Sequence, residues 1–440
     1  MRRSIHGVLL LVSIFAAIPA GGSLVEHAAQ PPMHPCTIDG EAALCGDIPV
    51  PENYGEPGGR RIALHAVVLG GGNRGEGREP IFVLAGGPGQ AATTLTQGAS
   101  GIFRSNRRTR DVVLIDQRGT GGANRLDCPP APRSLLVPAD VGGCVARLSQ
   151  HATLRYYGTD SFLEDLEGTR KALGYDRIVL FGLSYGTRAA YAYARRYPQS
   201  VRAVVLVAPA PVAIRLVDSS GEGGRRSLDA IVADCLGDRR CSLAFPNLGK
   251  DAEHFRTSVS DPFRLLGLQT LQSSANTAVL IPTLLKSAAA ADFSPLDSAV
   301  AGLREEYLHQ LALGLHLTIV CGEDLPFGEP DTTSALHAEY ARACRGWPAA
   351  PVATNFHEPV RLSTPALLLV GEWDPVTSPR LARAAADQFS PSHLVVFPKA
   401  GHVLPAFEGC AGALVAGFLE GAAIDDSCTA RLERPPYVVR

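Results

Sequence analysis

Five stretches of the chain are nearly unbroken runs of apolar β-formers: IFVLA at 81–85, VVLID at 112–116, RIVLF at 177–181, AVVLV at 203–207 and ALLLV at 366–370. A strand with one wet face alternates, whereas a strand covered on both faces is apolar throughout. The runs therefore predict parallel strands buried on both sides of a sheet. IALHAVVL at 62–69 alternates in part, as an antiparallel edge strand does, and 394–397 reads as one more strand. Between these lie segments with helical patterning, at 161–173, 185–197, 380–389 and 410–419. Strand and helix in alternation predict an α/β fold, a mostly parallel sheet flanked by helices.

The alternation stops between about 210 and 363, where Ala-, Leu- and Arg-rich helical segments take over. A helical block between two sheet strands is expected to be a cap insertion (210–363) dividing a core of 61–209 and 364–440. Residues 23–60, rich in Pro, Gly and polar residues, read as an irregular lead-in. At the start, Arg2 and Arg3 precede an apolar run over 8–20 that closes on small residues. This layout predicts a secretory signal peptide at 1–22, its run being short for a bilayer span.

Composition narrows the compartment and the partners. The 41 basic and 43 acidic residues give a net charge of −2, which offers nucleic acid no electrostatic footing. No later apolar run is long and charge-free enough for stable membrane insertion. Ten cysteines, an even count after a leader, read as disulfides in a secreted or periplasmic protein. They fall into sequence-near couples, Cys36/Cys45, Cys128/Cys144, Cys235/Cys241, Cys321/Cys344 and Cys410/Cys428, although many other pairings are open. None has zinc-site spacing, and neither a metal nor an organic cofactor is expected.

The chemistry concentrates at strand ends. GLSYG, 182–186, directly follows RIVLF and precedes the helical AAYAYARRY. G-x-S-x-G between strand and helix is a nucleophile elbow, which makes Ser184 the candidate nucleophile. The partners should follow in the order acid, then histidine. Asp374 lies just past the strand at 366–370, with Glu372 as the alternative acid, and His402 follows the strand at 394–397. Of the twelve histidines, His402 alone combines that order with that location. An oxyanion hole needs two backbone donors: the amide of Tyr185, after the nucleophile, and one from the GGPG loop at 86–89, where Gly87 is the choice.

GGPG, DQRGTG (116–121), GLSYGT, GEWDPVTSP and AGH together make the chain resemble the α/β-hydrolase serine exopeptidases of the proline iminopeptidase and tripeptidyl aminopeptidase family. The resemblance spans roughly residues 36–430, and the stretch from the final GH through Cys410 and Cys428 is similar to the secreted tripeptidyl-aminopeptidase branch. It implies an α/β-hydrolase fold with an inserted helical cap. It also implies an aminopeptidase that cleaves residues or short peptides from free N-termini through an acyl-enzyme. An esterase or lipase-like hydrolase with the same triad, acting on a small ester, and a non-catalytic hydrolase-fold binding protein are the alternatives. Peptidase action on a free N-terminus requires a partner for a desolvated ammonium. Glu323 and Asp324 in CGEDLPF are the candidates, ahead of Glu305 and Glu306. In DQRGTG, Arg118 is expected to pair with Asp116 or with nearby carbonyls and so to fix the loop beside the site.

Overall fold

The computed structural model describes residues 33–70, 78–96, 101–328, 335–349, 352–404 and 407–439. The expected leader at 1–22 lies outside them. Nine strands form one sheet: β1 (His34–Ile38), β2 (Glu41–Pro51), β3 (Arg61–Leu69), β4 (Ile81–Leu84), β5 (Val112–Ile115), β6 (Ile178–Leu183), β7 (Val201–Val207), β8 (Ala366–Gly371) and β9 (Ser392–Phe397). Their order is β1-β2-β3-β5-β4-β6-β7-β8-β9. The pairs from β5 through β9 are parallel, and β1, β2 and β3 join antiparallel.

The apolar runs are buried on both faces for a visible reason. Phe82, Val113, Leu180, Leu206 and Leu368 point to one face and pack with α1 (Thr159–Ala172) and α2 (Tyr185–Arg196). Val83, Leu114, Phe181, Val205 and Leu369 point to the other. Between β7 and β8 the chain is helical. It includes α3 (Leu216–Gly237), α4 (Pro262–Gln272), α5 (Leu313–Ile319) and α6 (Ala335–Cys344). Leu228, Ile231, Leu268 and Leu271 of α3 and α4 belong to a separate core, which also takes in Trp373 and Tyr437.

Two expectations fail in the N-terminal part. Residues 34–51 are a β-hairpin rather than an irregular lead-in. Asp39 and Gly40 turn it, with φ of 51° and 82°, the conformation that Asp-Gly favours in a two-residue hairpin loop. That dipeptide was a readable signal. β3 is not an edge strand either, being held between β2 and β5. Its pattern is mixed because 61–65 pair with β2 alone, while Ala66–Leu69 pair with β5 and are fully buried.

All five sequence-near cysteine couples are disulfides, and no described cysteine is free. Thiol titration of the denatured, unreduced protein should accordingly find fewer than one free thiol per chain, and several reactive thiols would contradict this framework. Among the described residues no helix is long and apolar enough to cross a membrane.

β4 is the strand from which the chain departs first to one side, to β5, and then to the other, to β6. Outside the carboxyl ends of β4 and β6 such a reversal opens a crevice, the usual ligand site of an open α/β sheet.

Candidate active site

Ser184 occupies the turn from β6 into α2 with φ 51° and ψ −119°, a conformation costly for any residue with a Cβ by about 1–3 kcal/mol. The surroundings impose it. A Cβ on Gly186 would lie 2.2 Å from the Leu84 carbonyl oxygen, so the helix can start this close to β4 only with glycine there. The Ser184 amide donates to Val207 O at 2.9 Å, which pins the turn to β7. The GGPG loop after β4 crosses directly over the serine. A Cβ on Gly86 would sit 3.1 Å from Ser184 Cβ.

Asp374, wholly buried beyond β8, receives His402 Nδ1 on Oδ2 at 2.9 Å. Its Oδ1 accepts from the amides of Val376 and Thr377, both at 2.8 Å, and Oδ2 accepts also from Thr377 Oγ1 at 2.7 Å. Glu372 is exposed and accepts from the Lys399 amide, so of the two candidate acids it is Asp374 that meets the histidine. Burial pushes the Asp374 carboxyl up, but His402 and the Thr377 bond outweigh it and hold the pKa low. Burial likewise pushes the His402 imidazole down, and the adjacent carboxylate overrides this and raises it above the ordinary 6.5. Ser184 and His402 lie at the same sheet edge, after β6 and β9. Among the described residues no hydrogen bond joins Ser184 Oγ to His402, and such bonds are often long until substrate is bound.

Other residues at the site were not read from the sequence. Thr377 had a signal, because an Asp followed three residues on by Thr is a turn in which the carboxylate caps the loop. Arg226 of α3 had none. Its Nη1 and Nη2 donate to the carbonyls of Glu372 and Asp374 at 2.9 and 2.7 Å, and Gln269 of α4 donates to Pro375 O. The acid loop is thus clamped by helices more than a hundred residues away in the chain.

Tyr185 begins α2, where the first amides of a helix lack intrahelical partners. Its hydroxyl is buried against Thr159 Oγ1 (2.6 Å) and Gln117 Nε2 (3.2 Å). Gly87 lies in the loop above with φ 107°. Glu323 and Asp324 are near these groups but are committed to them. Asp324 accepts from Arg188 Nη1 and the Val217 amide, at 3.0 and 3.1 Å. Glu323 accepts from Thr159 N and Thr159 Oγ1, each at 2.6 Å, and burial pushes its carboxyl up to about 7. Both carboxylates face inward and already have donors within the protein. Glu305 is exposed, and the Glu306 side chain lies outside the described residues.

Arg118 does not pair with Asp116, although it does donate to nearby carbonyls. It holds Asp165 through Nε and Nη2 at 2.7 and 2.6 Å and donates to the carbonyls of Pro51, Glu52 and Tyr156. Asp116 instead accepts from Thr93. The loop is fixed as expected, by a carboxylate from α1 that spacing could not reveal. Among the described residues no group of three or more His, Cys, Asp or Glu side chains could hold a metal ion.

Comparison with known proteins fits this geometry. Residues 79–244 match the α/β-hydrolase fold family, and residues 331–430 match the TAP-like protein family. The serine protease Hip1 of Mycobacterium tuberculosis is 29% identical over 229 residues, 46% of this chain and 43% of its own length. The tripeptidyl aminopeptidase of Streptomyces lividans is 27% identical over 186 residues, 37% and 34% of the two chains. A proline iminopeptidase of Heyndrickxia coagulans is 30% identical over 133 residues, 30% and 36%. The chain spans less than half the length of each of these curated relatives. The order of its sheet, the elbow after β6 and the match over 79–244 give the chain an α/β-hydrolase fold, and its C-terminal part is similar to the TAP-like protein family.

Proposed function

We infer that the chain is an extracytoplasmic serine hydrolase that removes residues or short peptides from free N-termini. The observation that carries the hydrolase reading is the pairing of His402 with the buried Asp374, set at the same sheet edge as a strained serine under a glycine loop. In this reading Ser184 attacks the carbonyl carbon while His402 Nε2 takes its proton. Asp374 holds the Nδ1–H tautomer and supports the imidazolium as it forms. The amides of Gly87 and Tyr185 receive the oxyanion. The imidazolium then protonates the leaving amine, and water, activated by His402, releases the acyl group and frees Ser184. The helices between β7 and β8 serve as the cap. Five disulfides support the extracytoplasmic placement. The names of the similar proteins support a peptidase over an esterase.

The deciding assay sets a peptide anilide with a free amine beside its N-acetylated form and a p-nitrophenyl ester. An aminopeptidase turns over the first and not the second. Equal activity on both anilides, or on the ester alone, would overturn the substrate assignment and leave the hydrolase standing.

The raised His402 also sets a pH dependence. The base must be neutral, so kcat/KM should fall with a single proton as pH drops through a value above 6.5. A profile taken from about pH 5 to 9 checks this. Removing the Asp374 charge should move the limb of the residual activity downward, because the imidazolium loses its counter-charge. An upward shift would contradict the pairing.

A further inference from the structure

One stretch of the helical segment, residues 311–324, meets the GGPG loop directly and reaches Tyr185 through Thr159. On the Gly87 side the contact begins in the backbone. The Ala312 amide donates to Gly89 O at 2.8 Å, and Leu311 bridges Gln90. A Cβ on Gly89 would lie 2.8 Å from Ala312 O, so the approach needs glycine. One helical turn on, His316 sets Nδ1 3.0 Å from the Pro88 carbonyl and Nε2 2.7 Å from the Tyr340 hydroxyl of α6. A carbonyl only accepts, so Nδ1 carries the proton and Nε2 accepts from Tyr340. Burial pushes this imidazole down to about 4, which keeps that one neutral tautomer in place.

On the Tyr185 side Thr159 stands between two partners. Its hydroxyl lies 2.6 Å from Glu323 Oε2 and 2.6 Å from the Tyr185 hydroxyl, and where Glu323 is ionised, above about pH 7, Thr159 donates to the carboxylate and Tyr185 donates to Thr159. Gln117 Nε2 then donates to Tyr185. His316 and Glu323 stand about two helical turns apart on the same stretch.

We propose that His316 and Glu323 are positioning residues, which hold the Gly87 and Tyr185 amides at the separation an oxyanion requires. The links are Tyr340–His316–Pro88 on one side and Glu323–Thr159–Tyr185 on the other. The proposal rests on the oxyanion reading given above. Its physical basis is that such donors act only when preorganised at close tolerance. A loop of three glycines and a proline has little of its own to hold it there. Because both braces come from one segment, a displacement of that segment moves both donors.

The test uses the full chain and a set of substitutions: His316→Leu, His316→Gln, Tyr340→Phe, Glu323→Gln, Thr159→Val, Thr159→Ser and Tyr185→Phe. Each is assayed for kcat and KM on the free-amine anilide and the p-nitrophenyl ester, for inhibition by a peptide boronic acid, and for Tm. The boronate adduct places an oxygen where the oxyanion forms and so reports on the hole itself. His316→Leu, Glu323→Gln and Thr159→Val should lower kcat about ten- to a hundredfold on both substrates, with KM within about twofold. They should weaken the boronate by the same factor. His316→Gln, which can still donate to Pro88 O, and Thr159→Ser, which keeps the hydroxyl, should recover most of the loss. Should His316→Leu or Thr159→Val fail to fold, Tyr340→Phe and Tyr185→Phe each delete a single hydroxyl on the same two links and decide the matter. Folded variants with unchanged kcat and unchanged boronate affinity would overturn the proposal, and a fall on the anilide alone would return Glu323 to an ammonium-binding role. If Ser184→Ala is inert while the brace variants are normal, only the brace fails. If Ser184→Ala is active, the site reading itself fails.

Discussion

Ser184→Ala should lower kcat by a factor on the order of 10⁵–10⁶ while leaving Tm within a degree or two of the parent, about the margin a surface change produces. The turn is built by the backbone: Val207 O takes the Ser184 amide, and the closeness of Gly186 to Leu84 O fixes the path. Alanine carries the same Cβ in the same conformation, so the strain and the packing stay as they were. Only the attacking oxygen is lost. A fluorophosphonate probe should label the parent protein and not the variant. Labelling that persists at another serine would remove Ser184 from the role.

Asp374→Asn should cut kcat by about 10⁴, and the bonds around the carboxylate say why. Oδ1 accepts from two backbone amides, which cannot be asked to accept instead. The asparagine oxygen must therefore keep that place, and its NH₂ group must stand where Oδ2 stood, against His402 Nδ1. A donor there forces the imidazole proton onto Nε2, the nitrogen that has to be free to take a proton from Ser184. Glu372→Gln, at an exposed carboxylate whose neighbour is the Lys399 amide, should leave kcat within about twofold. If the two results were exchanged, the acid would be Glu372.

Most of the sheet was legible because it depends on local pattern. A strand covered on both faces must be apolar at every position, so 81–85, 112–116, 177–181, 203–207 and 366–370 announced themselves, and the order of strand and helix followed. The elbow was legible for a related reason: a serine held in a strained turn against a neighbouring strand demands glycines two residues to either side. The hairpin at 34–51 is equally local: its Asp-Gly turn marks it, although its Pro and Gly content is that of an irregular segment. The five cysteine couples are close in sequence, and short loops close at small entropic cost.

Other features could not be read from order and spacing. Which carboxylate Arg118 takes depends on where α1 packs, and nothing in DQRGTG points to Asp165. The acidity of Glu323 and Asp324 is plain in the sequence, but the donors they meet are not. Only the fold shows that α1 and α2 supply them with Thr159 and Arg188 as donors. The same holds for Arg226 on the acid loop and for His316 behind Pro88. The amino-acid sequence by itself determined the strands, the elbow and the Ser–Asp–His candidates, because those rest on contacts within a turn or a strand, where neighbours in the chain are neighbours in space. The tertiary structure alone decided the partners of Arg118, Arg226, Glu323 and Asp324 and the supports of the GGPG loop. A buried polar group takes whichever donor or acceptor the packing of distant elements delivers, and chain separation carries no record of that choice.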